Sequence, residues 1–228
     1  MSFAQFLLIA HIAIFAIWFG TDLATFSLSR RVVDPEVPVS SRLTLATAMM
    51  SIEVVARLCL PTMLALGLSL SIENGLLDIG TVATAAVHVV IWVIVVGWVG
   101  VVWTIHGQSS GELASKLAAG DLVLRSLVCV GLWIAGLVSL IGDDGPFLGR
   151  WLALKVMAFA LIMTCGIAIR FLLKPFSVAF GALARQGSSP ENEAVMTTAI
   201  RRAQPLVGVI WFCLLAATTL AVVKPFVG

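Results

Sequence analysis

The sequence predicts an all-α protein, a polytopic membrane bundle of six transmembrane helices. Two observations carry that expectation. Of 228 residues, 60% are hydrophobic and only 11% are charged, where a soluble domain averages about a quarter charged residues. The apolar residues also gather into six runs, roughly 3–28, 43–71, 80–105, 121–141, 149–173 and 205–224. Each is long enough to cross a bilayer at about 20 residues per helix. No stretch leaves room for a soluble domain, so residues 1–228 read as a single integral membrane domain. A net charge of +2 is too small to imply a nucleic-acid partner; the expected partner is the lipid bilayer.

The first run opens on Met1, Ser2, Phe3, Ala4 and Gln5, without a basic segment or a small-residue cleavage site, and reads as a retained helix. Within it His11, Phe15, Trp18 and Asp22 fall at i, i+4, i+7 and i+11, on one helical face. Asp34, Pro35, Glu36 and Pro38 break it from the second run, which carries Glu53 and Arg57 as an i, i+4 pair in the favourable order. Glu73, Asn74 and Gly75 make the next break. The third run holds His88 and Trp92 on one face, with His106 about five turns beyond His88. The stretch from His106 to Gly111 separates it from the fourth run, and Gly142, Asp143, Asp144, Gly145 and Pro146 end that one. Arg150 and Lys155 enter the fifth run from its start. In the gap at 175–204, Ser189 is placed to cap a short helix with Pro190 at its first position.

Lysine and arginine counts orient the bundle. The first loop has Arg30, Arg31 and Arg42, the third Lys116, and the fifth Lys174, Arg185, Arg201 and Arg202. The second loop has none and the fourth only Arg150. Odd loops are therefore expected in the cytoplasm, both termini outside, in a bacterial-type inner membrane. Cys59, Cys129, Cys165 and Cys213 lie in four different runs without a C-x-x-C spacing, which suits packing better than a disulfide or a zinc site.

Two of only three histidines, His11 and His88, sit inside apolar runs, where an imidazole needs a partner. In this topology both lie about eight residues, or roughly 12 Å, from the outer face. Two imidazoles at one depth suit axial ligation of a haem b iron. Trp18 offers a flat face beside such a ligand, although aromatic stripes more often serve packing. Arg57 suits a haem propionate or a salt bridge with Glu53 equally well, whereas Arg150 and Lys155 suit snorkelling to the outer surface before propionate binding. His106 suits interfacial placement or a helix end, not ligation. A weak internal repeat relates Arg57, Cys59 and Gly67 to Arg125, Cys129 and Gly136.

The run from His11 through Trp18 and Phe19 to Gly20 resembles the first helix of HemJ-type protoporphyrinogen oxidases and their CopD-type relatives. Arg57 and Leu58, with Pro61, Thr62, Met63, Gly67 and Leu68, resemble the second helix of that group. Arg150, Trp151, Leu152 and Lys155 resemble another, and Val222, Val223, Lys224, Pro225 and Phe226 its C-terminal end. The resemblance covers helices one, two, five and six, about half the chain, and makes the third and fourth additional to the four-helix HemJ plan. It implies a haem b bundle in which His11 matches the haem-associated histidine, while His88 has no counterpart. Two features depart from the family. Gln204 stands where an acidic residue precedes the last helix's proline, and the loop histidine after the first helix is absent around Ser29, Arg30 and Arg31.

Three functions follow, in order. The first is a membrane cytochrome b passing electrons between an outer redox partner and either the quinone pool or another subunit, in association with another redox subunit or as a homo-oligomer. The second is a HemJ-like protoporphyrinogen oxidase, with catalytic residues unassigned. The third is a CopD-like copper-handling protein using soft ligands such as Cys59 and Met63, with Met49 and Met50 a few turns away.

Overall fold

In a computed structural model, described at residues 1–107, 111–142 and 145–225, the chain folds into seven helices among the described residues. They are α1 (Phe3–Val32), α2 (Val39–Glu73), α3 (Thr84–Gly107), α4 (Glu112–Ile141), α5 (Arg150–Leu172), α6 (Lys174–Gln186) and α7 (Pro190–Val223). All but α6 are long and apolar enough to cross a membrane. The protein is thus an all-α, six-span integral membrane bundle. Residues 108–110 of the third break, Asp143 and Asp144 of the fourth, and Phe226 of the C-terminal run lie outside the described residues.

The spanning helices form a closed ring, α1 against α2, then α3, α4, α5, α7 and back to α1. Outward faces keep large apolar side chains, such as Val89, Val93 and Val96 on α3 and Leu127 and Ile134 on α4, as lipid contact requires. Between helices, lipid offers no hydrophobic gain over another apolar surface, so close packing of small residues does the holding. Ala65, Ala153 and Ala160 are fully buried. At Gly136 on α4 an added Cβ would sit 2.7 Å from Met157 Cγ on α5, so this glycine sets how near the two helices come.

The two ends of the ring differ. At the end holding the N-terminus, Ser2 and Gln5 form a reciprocal cap on α1. There the α2–α3 and α4–α5 loops pair: Leu148 N donates to Leu76 O at 2.8 Å and Asp78 N to Pro146 O at 2.9 Å. The opposite, basic end gathers Arg30, Arg31, Arg42, Lys116, Lys174, Arg185, Arg201 and Arg202. The helices overshoot the bilayer there. With 35 residues, α2 is about 52 Å long at 1.5 Å per residue, against a hydrocarbon core of about 30 Å.

The overshoot corrects two expectations. Ser189 does cap a helix, its hydroxyl accepting from Asn192 N at 3.3 Å with Pro190 at the start. That helix is not short: α7 runs 34 residues, straight through Pro205. The gap expected at 175–204 also holds α6, whose Phe176, Ala179 and Leu183 bury one face against Met196, Ala199 and Ile200 of α7. Arg42, 1% exposed, stitches this cap together. Its Nη1 and Nη2 donate to both Glu193 carboxylate oxygens at 2.7 and 2.8 Å, and its Nε to Val32 O at 2.7 Å.

Candidate functional sites

Along α1 the face that held His11, Phe15, Trp18 and Asp22 in the sequence does point inward. Trp18 is 4% exposed and meets Phe159 of α5 edge-on at 6.0 Å, and Asp22 Oδ2 accepts from Trp211 Nε1 of α7 at 3.1 Å. His11 stands where α1, α2 and α5 meet. The backbone of Gly67 on α2 faces it, an added Cβ there lying 3.5 Å from His11 Cε1. Lys155 of α5, itself partly buried, lies within Coulombic reach. His11 Nδ1 is sealed from solvent and has no hydrogen-bond partner. Thr25 Oγ1 is the one other such atom among the described residues, whereas the buried polar residues Arg42, Ser69, Ser71, Asp121 and Ser139 are all bonded. An unmade bond at a buried polar atom costs roughly 1–3 kcal/mol.

His88 is differently placed. Its Nε2 donates to Glu73 Oε1 at 3.0 Å, its Nδ1 meets the Ser69 hydroxyl at 3.2 Å, and Phe3 packs edge-on at 5.7 Å. Both ring nitrogens are therefore engaged by α2. Gly67 and Ser69 are two residues apart, about 200° around a helix turning 100° per residue, and Glu73 adds only about 40°. Hence His11 and His88 press on opposite sides of α2, the latter about 6 Å nearer the membrane face. The structure does not bring the two imidazoles together on one centre.

The remaining candidates divide as well. Arg150 is exposed at the start of α5. Arg57 bonds Glu53 through Nε and lies ten residues, about 15 Å, along α2 from Gly67, towards the basic end. It lines a second site, a cavity of about 500 Å³ that also takes in Trp18, Asp22, Asp121, Arg125 and Arg170. His106 is exposed at the end of α3. Cys59 and Met63 are buried in the main core, and no group of three His, Cys, Asp or Glu side chains that could hold a metal occurs among the described residues.

The organising residue of the cavity is one the sequence reading left unassigned. Asp121, 7% exposed, accepts from Trp98 Nε1 at 2.9 Å, from Arg125 Nε at 2.9 Å and from Arg170 Nη1 at 3.1 Å, joining α3, α4 and α5. Arg125 also stacks on Trp98, 5.4 Å from the ring centroid. The signal was available: Asp121 and Arg125 repeat the i, i+4 carboxylate–arginine spacing of Glu53 and Arg57 at the start of an apolar run. Both arginines of the weak repeat line this cavity.

Fold and polar interior together define a class: a six-span membrane protein with an unpartnered histidine in one half and a charged cavity in the other. Compared with family models, with curated proteins and with solved structures, the chain matches none.

Proposed function

We propose that this chain is a membrane-embedded haem b protein that transfers electrons, with His11 as the protein's iron ligand. The observation that carries the reading is His11 itself, a buried imidazole whose Nδ1 has no partner, one of two such side-chain atoms among the described residues. The neighbouring side chains are of the kinds that would hold the group. An imidazole in an apolar bundle is a suitable axial ligand, the Lys155 ammonium nearby suits a propionate, and Phe15 and Trp18 continue the same α1 face. Bound haem b supplies one-electron redox chemistry. The chain's part is to hold the imidazole, keep water out with the closed ring and place a cation beside it. Electrons would pass between an outer redox partner and the quinone pool or another redox subunit, and the basic end would face the cytoplasm of a bacterial-type inner membrane.

A second reading, oxidation of a porphyrinogen-like substrate, is favoured by the separation of the histidines. One imidazole leaves a coordination position open, which suits substrate chemistry better than a six-coordinate iron does. Visible spectra and pyridine-haemochrome quantitation of purified wild type, His11→Ala and His88→Ala test both readings. Haem is expected in the wild type, retained in His88→Ala and lost in His11→Ala. Wild-type protein without haem, or an unchanged spectrum in His11→Ala, would sink the assignment.

A further inference from the structure

The cavity at the basic end has a composition that the haem reading does not use. Its lining carries four cationic side chains, Arg57, Arg125, Arg170 and Lys174, and three carboxylates, Asp22, Glu53 and Asp121. Each carboxylate is already committed. Asp22 accepts from Trp211, Glu53 is bonded to Arg57, and Asp121 is shared between two guanidinium groups. The lining thus holds one positive charge more than it can neutralise (4 − 3). Lys174 rests over the Phe171 ring at 4.7 Å and has no carboxylate partner among the described residues.

A second observation is independent of charge. Thr25 is among the residues lining this cavity, and its Oγ1 is sealed from solvent and has no hydrogen-bond partner. Apart from His11 Nδ1 it is the one such atom found among the described residues. A third is depth. Counting about 20 residues back from Glu73 along α2 reaches Val54, next to Glu53 and Arg57, and Arg170 lies in the last turn of α5. The charged groups therefore stand at the level of lipid headgroups. The remaining walls are mostly apolar and include Met49, Ile162, Met163, Ile200 and Val207, with Phe176 and Phe180 contributed by α6.

We propose that this cavity binds the singly charged anionic head of a membrane amphiphile, a carboxylate or a phosphate diester, with its alkyl chain along the apolar walls. Lys174 and the free edges of the Asp121-bound guanidinium groups take the charge, and Thr25 donates a hydrogen bond. Basic pockets between helices are where anionic lipid heads dock, and a pocket of a few hundred Å³ with few polar groups suits such a ligand. Neither His11 nor a haem takes part in this site.

Thermal unfolding of the full chain in a neutral detergent tests it, with titrations of phosphatidylglycerol, oleate and phosphatidylcholine. At least one of the two anionic lipids is expected to raise the midpoint at concentrations where phosphatidylcholine does not. Lys174→Gln, an exposed site, and Thr25→Val, a near-isosteric one, are read separately, so that failure of either to fold leaves the other. Each is expected to weaken the response by about tenfold, the loss of one charge-assisted or buried hydrogen bond. A response to oleate alone identifies a free fatty acid, and one to phosphatidylglycerol alone a phospholipid; both support the site. Equal responses to all three lipids, or anionic responses unchanged in the folded variants, would overturn it.

Discussion

Arg42 gives a prediction that does not depend on any ligand. The residue lies twelve positions before Val54, beyond the apolar part of α2, so the reference for its burial is water. Its side chain is 1% exposed while Glu193 is 14% exposed. Arg42→Met removes three charge-assisted bonds, two to Glu193 and one to Val32 O. Removing one partner of a buried pair costs about 3–5 kcal/mol. Water can still reach Glu193, which places the expected loss at the lower end, about 3 kcal/mol. Arg42→Lys keeps the charge but not the fork that serves two oxygens and a carbonyl at once, and should lose about half as much. The coupling in a cycle of Arg42→Met, Glu193→Gln and the double variant should exceed about 1 kcal/mol. Denaturant unfolding in detergent, followed by tryptophan fluorescence, reads all five proteins, the wild type included. Purely additive losses would mean that the ion pair contributes nothing and that Arg42 acts through packing or Val32 alone.

Two further outcomes follow from the packing and the charge distribution. Gly136→Ala should cost about 1 kcal/mol, since the flexible Met157 side chain can give way, whereas Gly136→Ile should part α4 from α5 and cost about 3 kcal/mol or more; equal midpoints in the same assay would refute the close approach. A reporter fused to the C-terminus should be active outside the cytoplasm, and cytoplasmic activity of a correctly inserted fusion would reverse the orientation that the basic end implies.

The six crossings were legible because apolar runs of about 20 residues leave the backbone no alternative to a helix in lipid. The inward stripe of α1 was equally legible, since helical spacing alone places Trp18 and Asp22 on one face. What the sequence concealed was what each helix does beyond the bilayer. Proline at 190 and 205 reads as a boundary, yet α7 passes Pro205 because its neighbours hold it, and α6 is an amphipathic piece too short for a spanning pattern. The separation of the two histidines was hidden for a related reason. Depth can be counted along a run, but the side of α2 that each imidazole meets depends on how α1 and α3 dock, and that is a tertiary fact. Asp121, which opens the fourth apolar run, drew no reading from the sequence and is the acceptor that three helices share.

The long-range bonds of the ring impose an order on its biogenesis. Asp22 waits for Trp211, 189 residues later, and Arg42 waits for Glu193, 151 residues later. At roughly 5–20 residues per second, the carboxylate in the first helix spends on the order of 10–40 s without its partner. During that interval the Asp22 carboxylate lacks its indole and the Arg42 guanidinium, in the water beyond the bilayer, lacks its carboxylate, two marks by which quality-control proteases can distinguish an unfinished ring from a closed one. Insertion of α7 removes both marks together, so the last helix certifies the first two.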